Sequence, residues 1–286
     1  MPANFKAELV GCLGQPVAEN PTGAMHEAAF QALGLNWRYL TVEAPPEKLR
    51  DAITGVRAFG MRGINLTIPH KVVVIEHLDE IAPDAAIIGA VNTVRLQGDR
   101  LIGENTDGKG FLRGLRQDAG VDPKGKRIVV LGAGGAARAI VTELALAGAA
   151  DVLVVNRSIR RGELMVADLA SKTKAPIRFQ PWPSIYNVPD DVGVLVNATS
   201  IGLYPDIKAM PAVDLTNSRP GMLVCDVVFN PPETRLLQTA RKHGLPVLDG
   251  LSMLAYQGAI GFELWTGQPA PEAVMKAGLR RALGIV

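Results

Sequence analysis

Apolar runs of strand length alternate with longer helical patterns along nearly the whole chain. In the first series, strand-like runs alternate with helical patterns in the order 9–14, 25–34, 37–43, 46–60 and 63–68. Strands and helices that alternate at this spacing predict a mostly parallel sheet with helices on both faces. The first part of the chain is therefore expected to be an α/β domain.

A second alternating series starts at Lys126 and continues to a strand-like run at 246–250. Two helical patterns, 252–267 and 271–284, then follow with no strand between them. Helices without a strand of their own are expected to pack back on the first domain, which makes that domain discontinuous. The sequence predicts two α/β domains: a substrate-binding domain of residues 1–108 plus 251–286, and a second domain of residues 109–250.

The composition is that of a globular protein of ordinary charge. The 286 residues are 48% hydrophobic and 20% charged, which is enough apolar material for two cores. The net charge of +2 is spread along the chain, so neither nucleic acid nor an anionic membrane is expected as a partner. No signal-peptide pattern and no membrane-length apolar run is present, and we expect a soluble cytoplasmic protein.

Cysteine and histidine usage argues against disulfides and metal sites. Cys12 and Cys225 each lie in an apolar strand-like run, so we expect both to be buried packing residues. The four histidines show no metal-ligand spacing with each other or with cysteine, and no metal is expected.

The segment 129–137, VVLGAGGAA, is an apolar strand that runs into a glycine-rich turn and then a helix. Its pattern, Gly132-x-Gly134-x-x-Ala137, is that of dinucleotide-binding turns, in which a pyrophosphate sits at the helix N-terminus. A glycine-rich turn without a ligand is the alternative, but the flanking strand and helix favour a cofactor site of the Rossmann type. The candidate phosphate-binding residues are Gly132, Ala133, Gly134, Gly135 and Ala136.

The end of the next strand indicates NADP as the cofactor. NAD enzymes place an Asp or Glu about 20 residues after the glycine turn, where it binds the ribose hydroxyls. This chain has Asn156, Arg157 and Ser158 there, with Arg160 and Arg161 close behind. A cluster that only solvates a helix start would not explain the missing acid, whereas arginine suits a 2′-phosphate. The candidate residues for that phosphate are Asn156, Arg157, Ser158 and Arg161.

Three polar clusters interrupt the apolar pattern of the first domain, at 65–71, 89–94 and 103–108. Hydride transfer to a carbonyl needs a proton donor, which a charged lysine held by a carboxylate can supply. Lys71 and Asp107 are the candidates, with Asn92 and Thr67 as partners of substrate hydroxyls. From spacing alone, a solvated lysine and an ordinary Asn-Thr-Asp turn stay open as the alternative.

These segments resemble, in order and over nearly the whole chain, those of the shikimate dehydrogenase family. The resembling motifs are NLTIPHK (65–71), GAVNTV (89–94), GENTDGKGF (103–111), LGAGGAARA (131–139), NRS (156–158), NATSIG (197–202) and DGLSMLAYQG (249–258). The resemblance implies that Lys71 is the acid/base residue and that Asp107, with Asn105 beside it, is the catalytic aspartate. It also implies substrate contacts at Thr67, Asn92 and Gln257, and cofactor contacts at Thr199, Val227 and Gly250.

Two positions depart from the family's pattern in the substrate site. The family has a Ser-x-Ser motif that binds the substrate carboxylate, and this chain has Asn20 and Thr22 at the two serine positions. A family tyrosine is replaced by Phe229, which removes a hydroxyl. Because a pocket built to hydrogen-bond a substrate group discriminates strongly when that pairing is lost, these changes are expected to weaken or redirect substrate choice.

The resemblance implies a small-molecule ring carboxylic acid as the partner, and the expected protein is a monomer or homodimer. The leading hypothesis is NADP-dependent, reversible reduction of 3-dehydroshikimate to shikimate. A second hypothesis keeps the chemistry but applies it to a related ring acid, such as quinate or an amino-shikimate analogue. A third is an NADP-binding redox sensor without turnover.

Overall fold

The computed structural model describes residues 5–285, which form two compact units. The first unit contains the described residues up to Thr106 and those from Gln257 onward, and the second runs from Asp107 to Tyr256. The first unit is therefore discontinuous along the chain. Both boundaries lie within helices.

The strands and helices follow the predicted alternation. The strands are β1 (Glu8–Gly14), β2 (Trp37–Glu43), β3 (Gly63–Leu66), β4 (Glu80–Ile81), β5 (Thr93–Gln97), β6 (Arg100–Glu104), β7 (Arg127–Leu131), β8 (Asp151–Asn156), β9 (Ile177–Pro181), β10 (Tyr186–Asn187), β11 (Val194–Asn197), β12 (Val213–Asp214), β13 (Leu223–Asp226) and β14 (Val247–Leu248). The α-helices are α1 (Thr22–Ala32), α2 (Leu49–Ala58), α3 (Pro83–Ile88), α4 (Thr106–Gln117), α5 (Gly135–Leu146), α6 (Ile159–Lys172), α7 (Arg235–Lys242), α8 (Gly250–Thr266) and α9 (Glu272–Ala282).

The sheet of the first unit has the strand order β2-β1-β3-β5-β6-β4. The prediction of a mostly parallel sheet is confirmed, with β2, β1 and β3 parallel to one another; β5, a strand that the sequence analysis did not predict, runs antiparallel to both β3 and β6. β5 and β6 form a hairpin, in which Gly98 takes a φ of +63° that favours glycine. This reversal brings the start of β5 to the same sheet edge as the ends of β3 and β6.

The last helix packs on the first one, as the sequence predicts for a helix without its own strand. Gly278 of α9 lies so close to α1 that an added Cβ would approach the Ala28 Cβ to 3.0 Å and the Ala24 carbonyl oxygen to 3.3 Å. At the end of α8, the Trp265 indole N–H donates to the Val94 carbonyl of β5 at 3.0 Å. The helix α9 and the part of α8 from Gln257 onward belong to the first unit, whereas the start of α8, up to Tyr256, belongs to the second.

The sheet of the second unit has the order β14-β13-β11-β7-β8-β9 with every adjacent pair parallel. The strand sequences RIVVL, DVLVVN and VLVN are rich in β-branched residues and are buried almost throughout, as expected for strands covered on both faces. Along the chain, β7, β8 and β9 lead to one edge of the sheet, and β11, β13 and β14 then lead to the other. Ligands of such sheets bind where the order reverses, beyond the carboxyl ends of β7 and β11.

Both cysteines are buried and unpaired, as the sequence predicts. Burial raises the pKa of the Cys12 thiol to about 11 and raises that of Cys225 further, so both stay protonated at neutral pH. Within residues 5–285, no helix is long and apolar enough to cross a membrane. The same residues contain no cluster of three or more histidine, cysteine, aspartate or glutamate side chains placed to hold a metal ion.

Candidate active site

The three polar clusters of the first unit meet at one edge of its sheet. Thr67 directly follows β3, and its backbone N–H donates to the Leu13 carbonyl at the end of β1. Lys71 lies in the turn after it, and its carbonyl accepts from the Val91 N–H at 2.7 Å, which ties the second cluster to the first. Gly14 is required for this approach, because a Cβ there would lie 2.2 Å from the Thr67 methyl group.

Asn92 is held in one orientation beside the start of β5. Its side-chain oxygen accepts from the Thr106 backbone N–H at 2.7 Å, and its amide nitrogen donates to the Thr106 hydroxyl at 3.1 Å. The backbone carbonyl of Asn92 accepts from the Leu66 N–H, and its backbone N–H donates to the Glu104 carbonyl. Because a backbone N–H can only donate, the Asn92 oxygen must face Thr106 and its NH2 group is the donor end.

Asn20 occupies the loop between β1 and α1, and its side chain is engaged locally. Its oxygen accepts from the Thr22 N–H at 2.9 Å, while its amide nitrogen lies 3.6 Å from the Cys12 sulfur. Thr22 begins α1 and is buried. The positive charge of Lys71 acts on the same thiol, where it partly opposes the rise in the Cys12 pKa caused by burial. Asn20, Cys12 and Lys71 therefore share one neighbourhood.

The remaining predicted residues of the catalytic and substrate set lie where the chain passes from one unit to the other. Asn105 is buried just after β6 and donates to the Ala90 carbonyl at 3.0 Å. Asp107 lies in the first turn of α4, where a carboxylate is favoured by the helix dipole. Gln257 is buried within α8. Lys71 belongs to the first unit and Asp107 to the second, and their pairing stays a prediction.

The glycine turn after β7 fits a dinucleotide phosphate. Gly132 has a φ of +113°, and a Cβ there would lie 2.8 Å from the Ala198 carbonyl oxygen of the loop after β11. By contrast, a Cβ on Gly134 or Gly135 would meet nothing within 4 Å, so open space lies above the turn. The first glycine serves packing and the others leave room for a ligand.

The helix after this turn begins without a side-chain cap. Gly134 is the N-cap of α5, and no acidic residue lies in the first turn. Gly135 and Ala136 are the first residues of the helix, and Ala133 lies half-buried before it. Exposed N–H groups and a positive helix end are the features that bind phosphate. The donors present fit a pyrophosphate.

The end of β8 offers cations and no acid. Asn156 ends the strand and donates to the Ser158 carbonyl at 2.9 Å, while the Ser158 hydroxyl caps α6 by accepting from the Arg161 N–H. Arg157, Arg160 and Arg161 are all exposed, and none of them makes an ion pair with any residue in 5–285. These free guanidinium groups suit the predicted 2′-phosphate.

A buried network at the ends of β11 and β13 was missed by the sequence interpretation. The Asp226 carboxylate accepts from the Asn197 amide at 2.9 Å, the Val228 N–H at 3.0 Å and the Thr234 hydroxyl at 2.7 Å. Asn197 in turn accepts from the Thr199 hydroxyl at 2.7 Å. The available signal was a charged residue inside the apolar run MLVCDVVF, which must be paired when buried.

This network shapes the two loops that carry the other predicted cofactor residues. Val227 is bonded to the Asn197 carbonyl through its N–H, and Phe229 lies half-buried two residues later. Gly250 begins α8, where a Cβ would lie 2.6 Å from the Val227 carbonyl oxygen and closer still to that of Val228. The second unit thus brings Thr199, Val227 and Gly250 to loops that follow β11, β13 and β14.

Comparison with known proteins identifies the family. The substrate binding domain of shikimate dehydrogenase matches residues 12–94, the shikimate / quinate 5-dehydrogenase family matches 115–227, and the shikimate 5′-dehydrogenase C-terminal domain matches 250–280. The shikimate dehydrogenase (NADP(+)) of Methanopyrus kandleri is 45% identical over 95% of this chain and 94% of its own length. This chain belongs to the shikimate dehydrogenase family.

Solved structures agree with this assignment. The shikimate 5-dehydrogenase of Thermus thermophilus, solved with NADP(H) and shikimate, is 38% identical with a TM-score of 0.83 over 96% of this chain and 99% of its own. The 5-ketofructose reductase of Gluconobacter sp. strain CHM43, solved ligand-free, is 45% identical with a TM-score of 0.93 over 97% and 99%. These two similar structures therefore carry different activity names, shikimate 5-dehydrogenase and 5-ketofructose reductase.

Proposed function

We propose that this shikimate dehydrogenase family member catalyses the reversible reduction of 3-dehydroshikimate to shikimate. The protein is an NADP-dependent oxidoreductase of the shikimate dehydrogenase type. The observation that carries the substrate assignment is the match, over nearly the full length of both chains, to relatives named shikimate dehydrogenase (NADP(+)). The polar edge formed by the ends of β1, β3 and β6 and the start of β5 supplies the side chains for a polyhydroxylated ring.

Lys71 is the proton donor in this proposal. When bound, NADPH supplies a hydride to the carbonyl carbon, and the carbonyl oxygen then needs a proton. The Lys71 ammonium delivers that proton from Nζ, and the same nitrogen takes it back when the alcohol is oxidised. We assign Asp107 as the carboxylate that orients the lysine, on the strength of the motif in which it lies.

The substrate hydroxyls are assigned to the polar edge of the first unit. Asn92 presents its NH2 group as a donor, because its oxygen is committed to Thr106. It therefore binds an acceptor lone pair of a ring oxygen. Thr67 and Gln257 are assigned to further ring contacts, and Thr22 and Asn20 to the end of the substrate that carries the carboxylate in shikimate. Phe229 adds apolar surface where the family has a tyrosine.

A second candidate substrate is 5-ketofructose, a neutral polyhydroxy ketone. It is favoured by the 45% identity to the Gluconobacter reductase and by the geometry of Asn20. Both polar groups of the Asn20 side chain are already engaged within the first unit, and the exposed Glu19 beside it adds negative charge. Such a site stabilises a carboxylate less well than two free hydroxyls would.

A substrate panel separates the two candidates. With NADPH in excess, kcat/KM is measured for 3-dehydroshikimate, 3-dehydroquinate and 5-ketofructose. We expect 3-dehydroshikimate to be the best substrate, and Asn20→Ser, which restores the family serine, to raise its kcat/KM. A preference for 5-ketofructose that Asn20→Ser weakens assigns the second candidate instead. NADPH binding without turnover of any compound contradicts both and supports the redox sensor.

Arg157→Ala tests the cofactor assignment. An arginine that binds the 2′-phosphate contributes charge-assisted hydrogen bonds, so the KM for NADPH is expected to rise roughly 10- to 100-fold. The KM for NADH, which lacks this phosphate, is expected to change little. Arg178→Ala is the control, because Arg178 is an exposed arginine of the same sheet that pairs with Asp151. Equal effects on both cofactors would contradict the role of Arg157.

A further inference from the structure

A chain of buried polar side chains runs beneath the polar edge of the first unit. The Tyr39 hydroxyl donates to the Asn65 oxygen at 2.9 Å, and the Asn65 amide nitrogen donates to the Thr93 hydroxyl at 2.9 Å. The Thr93 hydroxyl lies 3.2 Å from the Asn92 oxygen and 3.1 Å from the Thr106 hydroxyl. All five residues are buried. The chain therefore ends at the side chain assigned to the substrate hydroxyls.

The direction of these hydrogen bonds is determined by backbone groups at two points. Thr106 presents a backbone N–H to Asn92, which fixes the Asn92 oxygen as an acceptor. The Asn65 amide nitrogen lies 3.3 Å from the backbone carbonyl oxygen of Asn92, and a carbonyl can only accept. The Asn65 oxygen must therefore point away, toward Tyr39, whose hydroxyl proton is the only donor to that oxygen within residues 5–285.

Tyr39 is held in one orientation at the start of this chain of hydrogen bonds. Burial raises the pKa of the Tyr39 hydroxyl well above its usual value, so the hydroxyl is a donor at neutral pH. Its ring is stacked on His26 at a centroid distance of 4.9 Å, which fixes the direction of the hydroxyl.

We propose that Tyr39 and Asn65 are positioning residues that set the orientation of Asn92 for substrate binding. Neither residue is assigned to contact substrate. The hydroxyl of Tyr39 is the donor at the start of this chain of hydrogen bonds, since it satisfies the Asn65 oxygen. This inference rests on the proposed function, because it concerns the same substrate edge.

Tyr39→Phe tests the proposal while it keeps the stacked ring. Without its donor, the Asn65 oxygen is left unsatisfied in a buried site. The hydrogen bonds from Asn65 through Thr93 to Asn92 then lose their fixed direction. We expect the KM for the best substrate of the panel to rise roughly 5- to 30-fold, with kcat changed much less. The KM for NADPH is expected to stay constant, because this chain of hydrogen bonds lies wholly within the first unit. A merely structural role would lower stability without this selective rise.

The matched control is Tyr186→Phe. Tyr186 is equally buried, but its hydroxyl has no hydrogen-bond partner in the part of the chain that the structure describes. Its removal is expected to leave all Michaelis constants unchanged. If Tyr39→Phe behaves like Tyr186→Phe, the positioning role is wrong, whereas a wild-type protein that turns over no compound of the panel contradicts the proposed function itself.

A second variant, Asn65→Asp, gives an independent readout. An ionised carboxylate still accepts from Tyr39 but cannot donate to Thr93 or to the Asn92 carbonyl. We expect a higher substrate KM at neutral pH that falls as the pH is lowered and the new carboxyl gains a proton. A pH profile identical to that of the wild type would overturn the proposal.

Discussion

Replacing Lys71 with alanine is expected to lower kcat by roughly two to four orders of magnitude, the usual contribution of a positioned general acid. The reason is that the carbonyl oxygen then has no donor when the hydride arrives. The KM for NADPH is expected to change little, since the glycine turn and Arg157 are untouched. Steady-state kinetics in both directions, with the best substrate of the panel, measure this.

Two further variants separate proton donation from charge. Lys71→Arg keeps the positive charge, but a guanidinium does not release its proton at working pH, so we expect most of the loss to persist. Lys242→Ala removes an exposed lysine from α7 and serves as the control, with wild-type kinetics expected. A Lys71→Ala enzyme that retains most of its turnover would show that another group supplies the proton.

Asp226→Ala is expected to lower the free energy of unfolding by about 3–5 kcal/mol. The Asp226 side chain is only 2% exposed, and its loss leaves the Asn197 amide, the Val228 N–H and the Thr234 hydroxyl without their acceptor. Because these groups connect the loops after β11 and β13, the KM for NADPH is also expected to rise. Denaturant unfolding and cofactor titration of the same sample check both effects.

Asp226→Asn is the control, and the pH dependence of its stability is expected to differ from that of the wild type. Burial raises the pKa of the Asp226 carboxyl to about 6, above its value in an unfolded chain. Between about pH 4 and 6 the folded protein therefore binds more protons than the unfolded chain, and its stability falls as the pH rises. At ~1.4 kcal/mol per pH unit the total is about 3 kcal/mol. Asn lacks this titration, so the stability of the variant relative to wild type should increase across that window. Parallel curves would contradict the assignment.

Local sequence signals were sufficient for the cofactor side of the protein. The strand, glycine turn and helix from 127 to 146 depend on neighbouring residues only, so the pattern around Gly132 predicted them well. The missing acid after β8 was likewise readable from one short segment. The polar clusters of the first domain were found because each interrupts an apolar pattern. Their positions at strand ends indicated a shared ligand site, but the reversal of β5 that brings its first residue to that edge was not predicted.

The buried networks were not predictable from the same signals. Asn65 and Asp226 lie inside strands whose other residues are apolar, and a single polar residue does not reveal its partners. Those partners are distant in sequence, such as Tyr39 for Asn65 and Asn197 for Asp226. The register of the sheets brings them together: Tyr39 pairs with Val10 of β1 and Asn65 with Cys12 two residues further along that strand, while Asn197 pairs directly with Asp226. Pairing across strands, rather than periodicity within them, determines these contacts.

The reversal of β5 has a practical consequence for engineering. Since its first residue lies at the polar edge, the tight connection to β6 at Gly98 and Asp99 must lie at the far edge of the same sheet. No candidate ligand-binding residue lies in that connection. An epitope or purification peptide inserted between these two residues would extend away from the polar edge of the first unit. The hairpin is therefore a suitable attachment point for immobilising the active protein.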